Sequence, residues 1–334
     1  MSVKQSPICV LGAGAWGTAL TLLLARNGNN VRLWSHDPDQ VALMRAQHIN
    51  PEFLPGFSLP GELVIENDLA VALKGVDDIL IAVPSQVFTD VLYKIKTFRG
   101  NSVRIVWGTK GLDAAGGRLL HEMVAEVLGA TTPAAVLSGP SFAHELAAGL
   151  PTAVSLSGNQ PDFLRDLVLR FHGDNLRVYE NHDFIGVQLC GVVKNVLAIA
   201  VGIADGLQLG ANTRCALITR GIAEMSRLNA ALGGKPSTLM SLAGVGDLVL
   251  TCTDNQSRNR RFGLMIGQGT PPQAAALNIG KVIEGLTNTE RVRDLARRFL
   301  IDMPITEEIH NILYHGHSPH EVVTSLLKRE PKAE

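Results

Sequence analysis

Cysteine is scarce: Cys9, Cys190, Cys215 and Cys252 are the only four in 334 residues, and they form no CxxC pair and no finger-type spacing with histidine. That excludes a disulfide framework and a structural zinc site. It predicts no metal and fits a reducing, cytoplasmic location. Aromatic residues are few, at 5%, and 30 basic side chains against 31 acidic leave a formal charge of -1. Without a global positive field or basic runs interleaved with aromatics, nucleic acid and anionic membrane surfaces are not expected partners. Long hydrophobic runs are also missing. The apolar run Ile8 to Leu11 is broken by glycines 12, 14 and 17 before a signal-peptide core forms, and no uncharged apolar stretch approaches the roughly 18 residues of a membrane span. There is no internal repeat or low-complexity segment, and only Lys328 to Glu334 reads as a loose tail.

What remains is a chain with 46% apolar residues, long enough for two cores. Its first half alternates short apolar runs with helical patterns, the signature of a parallel sheet with crossover helices. The predicted strands are Ile8 to Leu11, Val31 to Trp34, Ile79 to Val83, Arg104 to Trp107 and Ala134 to Leu137, with Thr152 to Leu156 and Leu176 to Tyr179 extending the sheet. After about residue 182 the strand pattern stops. The stretch Phe184 to Ile203, apolar except for Gln188, Lys194 and Asn195, predicts a helix buried on all sides. The expected fold is α/β: a Rossmann-type, doubly wound, mainly parallel sheet domain over 1–187, then an all-helical domain over 188–334.

Gly12-Ala13-Gly14-Ala15-Trp16-Gly17 matches GxGxxG, directly after a predicted strand and at the start of a helical pattern. In that setting Gly12 permits the tight turn, Gly14 lets the backbone approach a pyrophosphate, and Gly17 lets helix pack on strand. The helix N-terminus supplies N–H groups and positive dipole to the phosphates. NAD and NADP are distinguished just after the second strand, where this chain has Ser35-His36-Asp37. The first position is not acidic, and His36 can hydrogen-bond a 2′-phosphate. This favours NADP tolerance without excluding NAD. Asp37, followed by Pro38, also suits a helix N-cap, and Arg32 lies within the strand.

Several side chains at strand and helix ends suit the handling of an anionic, reducible substrate. Lys194 shares its helix face with Cys190, Gly191, Leu197 and Ala198. Burial lowers a lysine pKa towards neutrality, which suits proton exchange with a substrate oxygen; snorkelling to water is the other use of such a lysine. Lys110, at the end of Trp107-Gly108-Thr109-Lys110-Gly111, stands where it can neutralise a developing alkoxide or an anion, or else sits in a solvated loop. Gly139 and Ser141 follow the next strand, and Ser141 also suits an N-cap. Asp247, after Gly244-Val245-Gly246, reads as an N-cap or as a carboxylate orienting Lys194. Gln256-Ser257-Arg258-Asn259-Arg260-Arg261 is the densest basic cluster, with hydroxyl and amide donors beside a guanidinium fork, a combination that suits a phosphate.

With these residues in place the chain resembles the bacterial-type NAD(P)-dependent glycerol-3-phosphate dehydrogenases over nearly its whole length. The resemblance is carried by GAGAWGTAL (12–20), LWSHDP (33–38), WGTKGL (107–112), SGPSFAHELAAGLPTA (138–153), GVVKNVLAI (191–199) and LAGVGDLVLTCTDNQSRNRRFG (242–263). It implies a Rossmann domain followed by a helical substrate domain, and a homodimer. The implied reaction is reversible hydride transfer between NAD(P)H and dihydroxyacetone phosphate, making sn-glycerol 3-phosphate for phospholipid synthesis. It makes Lys194 the proton-transfer lysine, acting with Lys110 and Asp247. It implies a substrate set of Lys110, Gly139, Ser141, Lys194, Asp247, Ser257, Arg258 and Asn259. The implied cofactor contacts are Ala15, Trp16, His36, Lys110, Ala143, Arg258, Val282 and Glu284, beside Gly12, Gly14 and Gly17. A related two-domain dehydrogenase of hydroxyacids or sugar acids would not need Ser257-Arg258-Asn259. A dinucleotide-sensing regulator would not need Lys110, Lys194 and Asp247 together.

Overall fold

A computed structural model of the chain describes residues 6–327, so the tail from Lys328 lies outside the described residues. The chain divides into two compact units, Met1–Gln188 and Leu189–Glu334.

In the first unit, strands β1 (Ile8–Leu11), β2 (Val31–Trp34), β5 (Val64–Glu66), β6 (Asp78–Ile81), β7 (Arg104–Trp107), β8 (Ala134–Ser138), β9 (Thr152–Gly158) and β10 (Leu176–Glu180) form one sheet, ordered β10-β9-β8-β7-β6-β1-β2-β5. A separate hairpin is built from β3 (Ile49–Asn50) and β4 (Leu54–Ser58). Helices α1 (Ala15–Arg26), α2 (Pro38–Gln47), α3 (Leu69–Leu73), α4 (Phe88–Arg99), α5 (Leu120–Leu128), α6 (Ala143–Ala147) and α7 (Pro161–Phe171) connect the strands. The central strands β1 and β6 are buried throughout, as covering on both faces requires, and apolar except for Asp78 at the start of β6, which is paired with Arg104 and Arg170. Every neighbouring pair in the large sheet runs parallel except β8 and β9. The chain winds outward from β1 through β2 to β5, then returns to β6 on the other side of β1. The switch point of this sheet therefore lies between β1 and β6, where open α/β sheets bind ligands.

All seven predicted strands are present. The short edge strand β5 and the hairpin were not expected, and β9 runs against β8.

The second unit is helical. It comprises most of α8 (Phe184–Gly206), then α9 (Gly210–Ala231), α10 (Asp247–Thr253), α11 (Arg258–Gly267), α12 (Pro272–Ile279), α13 (Glu284–Arg298), α14 (Pro304–His315) and α15 (Pro319–Leu327). At 23 residues α8 is long and apolar enough to cross a membrane by length and composition, with Lys194 interrupting its uncharged run, and it is buried like the core helix of a globular domain.

Glycines set the packing of α8 against α11. A Cβ on Gly202 would lie 2.1 Å from the Arg260 carbonyl oxygen, and one on Gly263 would lie 2.1 Å from that of Ile199. Gly206 and Gly267 are as crowded, so the two backbones touch along two turns.

Candidate active site

The glycine turn follows β1. Gly12 takes φ +112°, and a Cβ there would lie 2.8 Å from the Ala82 carbonyl oxygen at the end of β6. A Cβ on Gly17 would lie 1.9 Å from the Gly12 carbonyl oxygen. These two glycines are demanded by the protein itself. A Cβ on Gly14 would meet nothing within 4 Å, and no side chain caps the α1 N-terminus that begins there. The turn is braced from behind: the Ala13 carbonyl accepts from Gln40 Nε2 at 2.9 Å and from Asn50 Nδ2 at 2.8 Å. Neither brace was anticipated, because α2 and the hairpin bring them in from distant sequence.

At the end of β2, Ser35 is buried and donates to Gln40 Oε1 at 2.5 Å. Asp37 is the N-cap of α2, accepting from Asp39 N at 2.9 Å and Gln40 N at 3.2 Å. His36 is exposed and has no hydrogen-bond partner among the described residues. Arg32 reaches the last carbonyls of α3, including Lys74 O at 2.7 Å, and so is occupied.

Trp16 leaves its indole N–H buried without a partner and lies against Gly108, where a Cβ would come within 2.4 Å of Trp16 Nε1. The open approach at Gly14, the uncapped α1 and this orphaned donor all fit a bound dinucleotide.

After β7 and β8, Lys110 Nζ donates to the Gly139 carbonyl at 3.1 Å, and Ser141 Oγ donates to the same oxygen at 3.0 Å. Lys110, Gly139 and Ser141 are thus brought together. Ser141 is not a cap: the residue before α6 is Phe142, and the serine hydroxyl turns back because Gly139 (φ +137°) aims its carbonyl at it. Ala143 begins α6, which packs on α1.

In the second unit Lys194 is 7% exposed, within a helix that is otherwise almost wholly apolar. Its Nζ donates to Asp247 Oδ1 at 2.8 Å and to Thr251 Oγ1 at 2.8 Å. Snorkelling is excluded, since the amine points into the protein. The N-cap reading of Asp247 fails too. Gly246 holds the cap position and Asp247 is the first residue of α10, its carboxylate buried against the lysine. Thr251, one turn further along α10, went unnoticed in the sequence; its i+4 spacing from Asp247 was the available signal. Its hydroxyl donates to Asp247 O at 2.6 Å and therefore accepts from the lysine.

Ser257 is the N-cap of α11 and accepts from Arg260 N. Asn259 Nδ2 donates to Asn195 Oδ1 at 2.9 Å, and its Oδ1 accepts from Gly285 N at 2.9 Å, so its amide ties α11 to α8 and α13. Arg258 is exposed and has no direct hydrogen-bond or ion-pair partner among the described residues. Desolvation and the neighbouring Arg261 pull its pKa down against the charge of Glu284, but a guanidinium remains charged at any physiological pH. Val282 is exposed just before α13, which Glu284 begins. None of the four cysteines is in a disulfide, and burial pushes the Cys9 and Cys252 thiols up to about 12.

Models of the NAD-dependent glycerol-3-phosphate dehydrogenase N-terminus and C-terminus match residues 7–164 and 183–324. The chain belongs to the NAD-dependent glycerol-3-phosphate dehydrogenase family. It is 56% identical over 334 residues, the full length of both chains, to a glycerol-3-phosphate dehydrogenase [NAD(P)+] of Coxiella burnetii. It is 54% identical over 335 residues, covering 100% of this chain and 99% of the relative, to one of Shigella boydii. A crystal structure of glycerol-3-phosphate dehydrogenase from Coxiella burnetii matches with a TM-score of 0.95 at 55% identity, covering 97% of this chain and 99% of that one. The cofactor of the family is NAD(P), and its first domain is the Rossmann domain seen in the sheet.

Proposed function

We propose that the chain reversibly reduces dihydroxyacetone phosphate to sn-glycerol 3-phosphate, with Lys194 moving the proton. The observation that carries this reading is the Lys194 amine, held at 2.8 Å by both Asp247 and Thr251 within an apolar helix. A buried ammonium persists only with such partners, and a positioned one is a proton donor for a carbonyl oxygen.

When bound, the nicotinamide supplies the hydride. Gly12, Gly14, Ala15, Trp16 and Gly17 hold the dinucleotide, with Ala143 alongside. His36 takes the 2′ end, and Arg258, Val282 and Glu284 complete the cofactor set. Lys194 gives its proton to the substrate oxygen as Asp247 orients the ammonium. Lys110 offsets the charge that develops on that oxygen, near Gly139 and Ser141. Ser257, Arg258 and Asn259 receive the phosphate at the start of α11, where dipole and guanidinium both favour an anion. The expected domains divide this work, 1–187 binding the dinucleotide and 188–334 carrying Lys194 and the phosphate set. We place the enzyme in the cytoplasm as a homodimer without stable membrane insertion, supplying glycerol phosphate to phospholipid synthesis.

Steady-state oxidation of NADPH and of NADH, each with dihydroxyacetone phosphate and with unphosphorylated dihydroxyacetone, tests the reading. Turnover with the phosphorylated ketone and little with its analogue is expected. Equal rates for both ketones, or no oxidation of either cofactor, contradict it.

A further inference from the structure

The basic run Gln256–Arg261 separates into two kinds of arginine once folded. Arg258 and Arg261 are exposed and lie about one turn apart on α11. Arg260 turns inward and is 8% exposed. Its Nε donates to the Cys252 carbonyl in α10 at 3.0 Å, one Nη donates to Asn255 Oδ1, and the other donates to Asp205 Oδ2 at 2.5 Å. Its backbone N–H donates to Ser257 Oγ at 3.2 Å, closing the cap of α11. Asp205 lies at the end of α8 and also takes Arg214 of α9 in a forked pair, at 2.8 to 3.2 Å. One buried carboxylate therefore joins the ends of α8, α9 and α11.

This cluster is too far from the proton donor to act on the reacting carbonyl: Asp205 stands eleven positions beyond Lys194, about 16 Å along α8. It does control the start of α11. First turns lack internal hydrogen bonds and fray unless something holds them. The glycine contacts fix how closely α11 lies on α8, and the Asn259 amide ties its second residue to α8 and α13. The guanidinium of Arg260, bridging three oxygens from three segments, adds the tie of that turn to α10, to the loop after it and to the end of α8.

We propose that Asp205, acting through Arg260, is a positioning residue that holds the first turn of α11 so that Ser257 and Arg258 meet the substrate phosphate. This rests on the phosphate assignment made above. The consequence is a defect specific to the phosphorylated substrate, which a general packing role would not produce.

The test compares wild type with Asp205→Asn and Arg260→Lys, using dihydroxyacetone phosphate, dihydroxyacetone, and inorganic phosphate as a competitive inhibitor. Asp205→Asn is expected to raise KM for the phosphorylated ketone roughly 10-fold, with kcat changed little. The preference for dihydroxyacetone phosphate over dihydroxyacetone and the affinity for inorganic phosphate should fall by the same factor. Arg260→Lys keeps the charge but loses the fork, so it should shift the same quantities in the same direction, and it carries the test if Asp205→Asn does not fold. An equal loss of kcat/KM on both ketones, or no change on either, overturns the positioning role. If wild type itself shows no preference for the phosphorylated ketone, the phosphate assignment falls, and the positioning role with it.

Discussion

At the glycine turn of the first unit the telling positions are ones where side chains are missing, whereas in the second unit Lys194 and Asp205 are charged side chains buried with their partners. Gly12 and Gly17 clear space that the neighbouring backbone occupies, Gly14 clears space for something outside the protein, and α1 is left uncapped. Lys194 and Asp205 sit instead in apolar helix surroundings that tolerate them only because Asp247, Thr251, Arg214 and Arg260 satisfy them. The glycine turn is a place that added atoms would damage. The buried charges of the second unit are places that removed atoms would damage.

That contrast can be broken in both units. The largest effect is expected from Lys194→Ala, which should lower kcat roughly 100- to 10,000-fold while leaving NAD(P)H affinity near wild type. The same variant should unfold at lower temperature, because Asp247 is left buried without its cation. Arg258→Ala should reduce kcat/KM for dihydroxyacetone phosphate roughly 10- to 100-fold and weaken NAD(P)H binding, while with cofactor saturating it should barely alter the rate with dihydroxyacetone. Wild-type discrimination between the two ketones in this variant would remove the arginine from the phosphate site. In the first unit, Gly14→Ala should weaken NAD(P)H binding about tenfold at unchanged melting temperature, since its Cβ meets no protein atom. Gly17→Ala should lower the melting temperature as well as affinity, because its Cβ collides with the Gly12 carbonyl. Matching stability losses in the two variants would erase the distinction between a glycine needed by the fold and one needed by a ligand.

The smallest effect concerns pH. Glu224 in α9 is 1% exposed and accepts from Ile305 N, Thr306 N and Thr306 Oγ1 at the start of α14. Burial nonetheless pushes its pKa up to about 7, against the lowering effect of those hydrogen bonds. A carboxyl whose folded pKa exceeds its unfolded value stabilises the fold at low pH and loses that contribution as pH rises through the folded value. Stability should therefore decline between about pH 4.5 and 7, and Glu224→Gln should flatten that part of a urea-midpoint profile. An unaltered profile in the variant would assign the decline elsewhere.

Much of this was legible in the residues because the strongest signals are local. Continuous apolar runs mark the buried parallel strands, and GxGxxG between strand and helix marks the dinucleotide turn. Strand direction is not written in an apolar run, so the reversal of β9 against β8 was invisible. The edge strand β5 has three residues, too few to show a pattern, and the hairpin strand β4 contains Pro55-Gly56, which reads as a turn. At the site, the charged residues could be found, but their partners could not. Thr251, Gln40, Asn50 and the Asp205–Arg260 pair depend on which helices meet. The glycine pairs 202/206 and 263/267 were readable as small-residue spacings in two helices, yet only their interlocking gives them meaning.

Chemical rescue of Lys194→Ala by methylammonium tests the proton-transfer role most directly. With cofactor and dihydroxyacetone phosphate saturating, the variant should be nearly inactive alone and should regain turnover in proportion to added methylammonium. Turnover close to wild type without any added amine would contradict the account.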